Sequence, residues 1–350
     1  MKQLVHGGDW AGYRAEFGRD ALDFSANVSP LGLPEGVAQA ITASLCTADR
    51  YPDPLCRALR AKLAVHEGVP MEQILCGNGA ADLIFRLAWA KKPRKALLPA
   101  PTFAEYAAAL ETVGCAVQRH VLQSENDFAV TEDFCRAIDE TTDMVFLCQP
   151  NNPTGQLTPP ALVAQILQRC EACGALLVVD ECFLDFLPDC DFWTAKHLLH
   201  SGHLVILKAF TKLYGMAGVR LGYCICTDPS LLEQMQAAGQ PWAVSSLAQA
   251  AGLAALDETA YVTQVQTLIA QQRPILQNGL WALGLRVLDG RANYLLFQGP
   301  GTLGAALRQN GVVLRSCANY PGLDGSWYRT AVRTAPENEQ LLQALAEVLK

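Results

Sequence analysis

Between residues 74 and 207 short apolar runs alternate with amphipathic stretches, and this rhythm limits what the chain can fold into. The runs cover residues 74–76, 96–99, 144–148, 175–179 and 204–207 and read as strands. Residues 81–90, 103–113, 131–140 and 159–173 lie between them with helical spacing. Strands separated by helices of this length form an α/β sheet with both faces covered. After about residue 240 the rhythm changes. A helical stretch over 244–281 leads to strand-like segments at 286–288 and 294–297. A helix at 303–309, strands near 312–315 and 329–332, and a last helix from Glu337 follow. The expected organisation is an N-terminal arm over 1–34, a large unit over 35–240 and a smaller α+β unit over 241–350.

Composition narrows the function. A chain of 350 residues, 51% hydrophobic and 17% charged, suits two packed units of roughly 100–200 residues each. The net charge is -7 and no basic stripe is present, which argues against a nucleic-acid partner. No apolar run approaches the roughly 18–20 residues that cross a bilayer. Residues 1–20 lack the apolar core of a secretory signal, so a cytoplasmic protein with no membrane partner is expected. The 13 cysteines are odd in number and scattered, as reduced thiols packed like small hydrophobes would be. Cys170 and Cys173 form a CxxC without a second pair, and His197, His200 and His203 run round a helix end into a strand. No metal site is expected from either.

The chemistry-bearing residues cluster at strand ends. Lys212 follows the apolar run 204–207 and precedes Gly215, Gly218 and Arg220. A lysine at the mouth of a buried strand is desolvated, which lowers its pKa and suits an amine nucleophile. Asp180 ends the run Leu176-Leu177-Val178-Val179, where α/β sheets hold their ligands. Pro150-Asn151-Asn152-Pro153-Thr154-Gly155 fixes a rigid turn with amides aimed outward. Gly77-Asn78-Gly79-Ala80 joins a strand to a helix start, where backbone N–H groups can meet a phosphate. Thr211 and Arg220 can add a hydroxyl and a guanidinium to the same phosphate. Phe103, in Pro101-Thr102-Phe103, can stack on a flat ring.

In this order these strings, together with Gly218-Val219-Arg220-Leu221-Gly222-Tyr223, resemble the class I/II aminotransferases of pyridoxal-phosphate (PLP) fold type I over most of the chain. The resemblance implies a large domain with a mostly parallel, mixed seven-stranded sheet covered by helices, and a smaller α+β C-terminal domain. It implies Lys212 as the Schiff-base lysine, Asp180 as the partner of the pyridine nitrogen and Asn152 as donor to the phenolate oxygen. Phe103 would be the stacking ring, with Gly79, Ala80, Thr211 and Arg220 on the phosphate. Tyr51 would reach the phosphate of a neighbouring subunit, implying a homodimer with shared sites. Arg329 would grip a substrate anion. Two positions depart from the pattern. Phe183 stands where a tyrosine is common, and Ala209 where a serine is common.

Within that family the chain is most similar to L-threonine-O-3-phosphate decarboxylases of cobalamin synthesis. The strings that carry this are His6-Gly7-Gly8, Leu22 to Asn27, Ser29 to Gly32 and Arg315 to Leu323. A phosphorylated amino acid is then the expected substrate, caged by His6, Asn27, Arg315, Arg329 and Arg333. The product would be (R)-1-aminopropan-2-yl phosphate. Two other readings are weighed: an aminotransferase of the histidinol-phosphate type, and a non-catalytic sensor domain of the same fold. Sensors of that kind come fused to a DNA-binding domain, and no helix-turn-helix or basic segment precedes residue 20.

Overall fold

The structure is a computed structural model describing residues 6–350. Residues 1–5 of the expected arm lie outside the described residues. The larger sheet has seven strands: β1 (Ile74–Gly77), β2 (Lys95–Ala100), β3 (Ala116–Val121), β4 (Met144–Cys148), β5 (Leu176–Asp180), β6 (Leu204–Ala209) and β7 (Gly222–Cys226). Their order is β1-β7-β6-β5-β4-β2-β3. Only β7 runs against its neighbours, so the sheet is mixed but mostly parallel, as the family resemblance implies.

Every residue of β4, β5 and β6 is buried. A strand covered by helices on both faces is apolar at most positions, and this makes these three legible as short apolar runs, with Asp180 and Lys208 as buried polar exceptions. β3 is one of the two edge strands; its sequence AVQRHV is half polar and mostly solvent-facing. Helices flank the sheet on both sides, among them Gly79–Lys91, Ala104–Glu111 and Pro160–Cys173.

The second sheet is antiparallel. It contains β8 (Arg286–Val287), β9 (Tyr294–Gln298), β10 (Arg315–Ser316) and β11 (Trp327–Ala331), in the order β10-β11-β9-β8. Leu22–Asp23 pairs in parallel with Val312–Val313, and the amide of Ala331 donates to the carbonyl of Phe24. The arm is thus sewn to the small unit.

The helical stretch expected over 244–281 is two helices, Ser246–Ala255 and Thr259–Ala282. The first packs on Glu35–Ser44 and Arg57–Glu67.

Candidate active site

The parallel strands end along one edge of the sheet, and a cavity of about 430 Å³ opens there, between the two units and under the arm. That volume lies within the range of ordinary ligand pockets. Lys212, Asp180, Asn152, Phe103, Ala80, Thr211, Arg220, His6, Asn27, Arg315 and Arg329 all line it. Residues far apart in sequence, read singly as candidates, are thus brought to one place.

Asp180 leaves the end of β5 almost fully buried. The hydroxyl of Tyr106 donates to its Oδ2 at 2.7 Å, and the amide of Cys182 donates to Oδ1 at 3.0 Å. Asp180 thus accepts at both oxygens. Tyr106 was not read from the sequence. It stands three residues after Phe103 on helix Ala104–Glu111 and so shares a face with the residues at its start, a spacing that does not reveal the partner of its hydroxyl.

Lys212 follows β6 on a one-turn helix, with Nζ 5.7 Å from the ring centre of Phe183. Burial, Arg329 and Arg220 together push its ammonium down to about 8, against the opposing pull of Cys182 and Asp180. Phe183 takes the tyrosine position of the family pattern and packs edge-on to Tyr294. At this position the wall of the cavity is apolar.

The Asn151-Asn152 pair divides its work. Asn151 is structural: Oδ1 accepts from Thr102 Oγ1 at 2.8 Å, and Nδ2 donates to the Pro101 carbonyl and to Thr154 Oγ1, each at 3.0 Å. Asn152 meets the cavity. Its Oδ1 accepts from Arg329 Nη1 at 2.5 Å and from the Tyr320 hydroxyl at 3.3 Å. That engagement leaves the NH2 as the donor for a ligand oxygen.

The phosphate-binding residues expected from the sequence form a cradle. Gly79 opens helix Gly79–Lys91 at φ +79°, and no side chain caps that end. A Cβ added at Gly79 would lie 2.7 Å from Arg220 Nη2, so glycine keeps open the gap between the helix start and the guanidinium. Thr211 and Arg220 border the same gap from the β6–β7 connection. Backbone N–H groups at a helix start, a hydroxyl and a guanidinium are the donor set of a phosphate monoester. The residues present therefore fit PLP: Gly79, Ala80, Thr211 and Arg220 would hold its phosphate, Phe103 would offer a ring to stack on, and Asp180 and Asn152 would serve as acceptor and donor.

On the far side of the cavity β10 and β11 place Arg315 directly opposite Arg329 in register. Both are buried. Arg315 donates to the Ser316 carbonyl at 2.6 Å and to Asn319 Oδ1 at 2.7 Å, and its guanidinium lies over Tyr320. Arg329 Nη2 donates to the Ser25 carbonyl at 2.8 Å. With its amide oxygen turned toward Arg329, Asn27 accepts from Nε at 3.1 Å and from Nη1 at 3.3 Å. His6 Nε2 lies 2.6 Å from Glu105 Oε1, and its ring centre is 5.8 Å from that of Phe103.

Arg333 sits apart from the other expected substrate residues. It is absent from the cavity lining. Its Nη2 donates to Glu337 Oε1 at 2.6 Å and its Nη1 to the Asp23 carbonyl at 3.2 Å. β11 ends at Ala331, so the alternation that aims Arg329 inward does not reach 333. Arg333 lies instead beside the capping box of helix Ala335–Val348, where Glu337 holds it. Tyr51 is also outside the cavity; it is 81% exposed and stacked on Trp242. Among the described residues no group of side chains could hold a metal ion.

Comparison with known proteins gives the family. The profile of the family Aminotransferase class I and II matches residues 19–345. A threonine-phosphate decarboxylase of Salmonella typhimurium is 39% identical over 333 residues, covering 94% of this chain and 91% of that protein. A histidinol-phosphate aminotransferase of Desulfitobacterium hafniense is 33% identical, covering 95% of this chain and 92% of its own. The crystal structure of the histidinol-phosphate aminotransferase from Clostridium acetobutylicum superposes with a TM-score of 0.88 at 26% identity, over 93% of this chain and 98% of that one. The chain belongs to the class I and II aminotransferase family of PLP-dependent enzymes.

Proposed function

We propose that the chain decarboxylates L-threonine O-3-phosphate to (R)-1-aminopropan-2-yl phosphate, a step of cobalamin biosynthesis. One observation carries the reading: the in-register pairing of Arg315 with Arg329 on the cavity wall. Like charges directly opposite on neighbouring strands repel. Two buried guanidiniums side by side on the cavity wall suit a ligand with two anionic groups, and this substrate carries two, a carboxylate and a phosphate. The 39% identity to a threonine-phosphate decarboxylase supports the same choice.

In this reading Arg329, with Asn27 beside it, holds the carboxylate, and Arg315 with His6 holds the phosphate. Two fixed anions and the amine leave the substrate little freedom to rotate, so the cage decides which bond at Cα lies across the cofactor plane. The bound cofactor supplies the electron sink for that bond. Lys212, with its pKa near 8, holds or releases a proton at Nζ near neutral pH. Tyr106 and Cys182 keep Asp180 an acceptor. Phe183 keeps that wall apolar, which limits water there.

A second reading, transamination of the histidinol-phosphate type, has its own support in the 33% identity to the Desulfitobacterium enzyme. We further infer a cytoplasmic homodimer in which Tyr51 reaches the neighbouring subunit's phosphate; its exposed stack with Trp242 supports this. No helix among the described residues is long and apolar enough to cross a membrane. The deciding experiment incubates the PLP-loaded protein with threonine phosphate and no keto acid. Release of CO2 and aminopropanol phosphate is expected. Turnover that appears only with 2-oxoglutarate would select transamination instead.

A further inference from the structure

β5 and β6 send successive side chains to opposite faces. Asp180 and Ala209 border the cavity, so Glu181 and Lys208 point to the other side. There a buried ionic cluster lies behind the site. Lys208 is only 5% exposed. Its Nζ donates to Asp185 Oδ1 at 2.9 Å and lies 3.3 Å from Glu67 Oε1. The other oxygen of Glu67 is 2.9 Å from Lys196 Nζ. Tyr223, the in-register neighbour of Lys208 on β7, donates its hydroxyl to Glu67. Glu181 accepts from Thr194 Oγ1 at 2.8 Å and from the Ala195 amide at 2.7 Å.

Glu67 and Lys208 hold each other in their charged forms. Burial works against Glu67, yet Lys208, Tyr223 and Lys196 hold its carboxyl down to about 2. Burial likewise works against Lys208, but Asp185, Glu67 and Glu181 keep its ammonium well above the ordinary lysine range. Glu181 differs: burial raises it to about 7 against the pull of Lys208.

A buried cluster of this kind adds little stability over apolar side chains of equal volume, because desolvation offsets most of the attraction. What it does supply is geometry, since hydrogen-bonded charges tolerate sliding less than apolar contacts do. The strands it joins carry the cofactor-facing groups: β5 ends in Asp180, β6 leads to Lys212, and β7 begins just after Arg220.

We propose that Lys208 is a positioning residue, and that the cluster centred on it holds the ends of β5, β6 and β7 in the register at which Asp180, Lys212 and Arg220 face one cofactor. The proposal rests on the PLP site and is independent of which substrate is used.

Its test uses three variants: Lys208→Arg, Asp185→Asn, and the triple change Glu67→Gln with Asp185→Asn and Lys208→Met. For each, the urea midpoint, the Kd of the apoprotein for PLP and the pH midpoint of the holoenzyme's visible band are measured. The triple variant is expected to keep its urea midpoint, bind PLP at least tenfold more weakly and shift the band's pH midpoint. Lys208→Arg should keep both cofactor properties. Asp185→Asn changes a side chain that is 34% exposed, so it folds even where the triple variant does not. It is expected to weaken PLP about threefold and to shift the band in the same direction. Unchanged PLP affinity and band midpoint in the folded triple variant, or in Asp185→Asn alone should the triple not fold, would overturn the proposal. None of these readouts involves substrate, so they stand apart from the outcome of the decarboxylation assay.

Discussion

Lys212 makes a claim that can be checked without any substrate. Its pKa in the folded apoprotein is near 8, against about 10.5 for an ordinary lysine. Between those values the unfolded chain binds more protons than the folded one, so this residue's contribution to stability rises with pH across that window. Apo Lys212→Met should therefore be more stable than the apo wild type at pH 7, by about 1–3 kcal/mol, with the difference closing by pH 10.5. Urea unfolding at the two pH values measures it. Two further substitutions separate the halves of the cavity. Tyr106→Phe removes the hydroxyl donor to Asp180. It should lower kcat about tenfold, the worth of one hydrogen bond to a charged group, with KM for threonine phosphate little changed. Arg315→Leu should do the reverse, raising KM by about 10- to 100-fold while PLP still binds. Lys212, Asp180, Asn152 and Arg220 were legible in the sequence because each lies within a short step of an apolar strand's end. Tyr106 was not, since a helical tyrosine looks like core until its hydroxyl partner is known. Arg333 lies outside the cavity lining, and the four-residue spacing of the two arginines gave no sign that the strand stops between them.

Elements matter here chiefly for how closely their backbones approach one another. Gly222 opens β7 where the Gly79-Ala80 turn lies against it. An added Cβ would stand 2.6 Å from the Ala80 nitrogen and 2.8 Å from the Gly79 carbonyl carbon. These are backbone atoms and cannot swing aside. Gly222→Ala should cost about 1–3 kcal/mol of stability, read by urea unfolding, and should weaken PLP binding by displacing the phosphate cradle. The buried strands β4, β5 and β6 were visible as apolar runs of near-correct extent. β3 escaped because an edge strand needs no apolar face on its solvent side. The separation of helix Ser246–Ala255 from Thr259–Ala282 escaped because no proline or glycine marks the three-residue break.

At the scale of the whole molecule, a homodimer with shared sites predicts complementation between subunits. Tyr51→Phe leaves its own Lys212 intact, and Lys212→Ala leaves its own Tyr51 intact. A hybrid of the two has one site with both native residues, if Tyr51 serves the neighbour. Mixed and reassembled, the pair should recover PLP affinity at that one site, as read by equilibrium titration. Recovery in neither site would remove Tyr51 from the partner's cradle. The alternation of apolar runs and helices was sufficient for the α/β class, and the strand-end motifs were sufficient for the family, because both depend on local spacing along one chain. Which cations face the cavity, which acid lies behind the strands and what holds Asp180 were settled only in three dimensions. Arg315 and Arg329 are 14 residues apart in the chain and become neighbours through the register of β10 on β11. Glu67 and Lys208 meet only when a helix end packs on the sheet. Such pairings are long-range: they follow from where strands and helices stop and how their faces pack, and no local spacing records them.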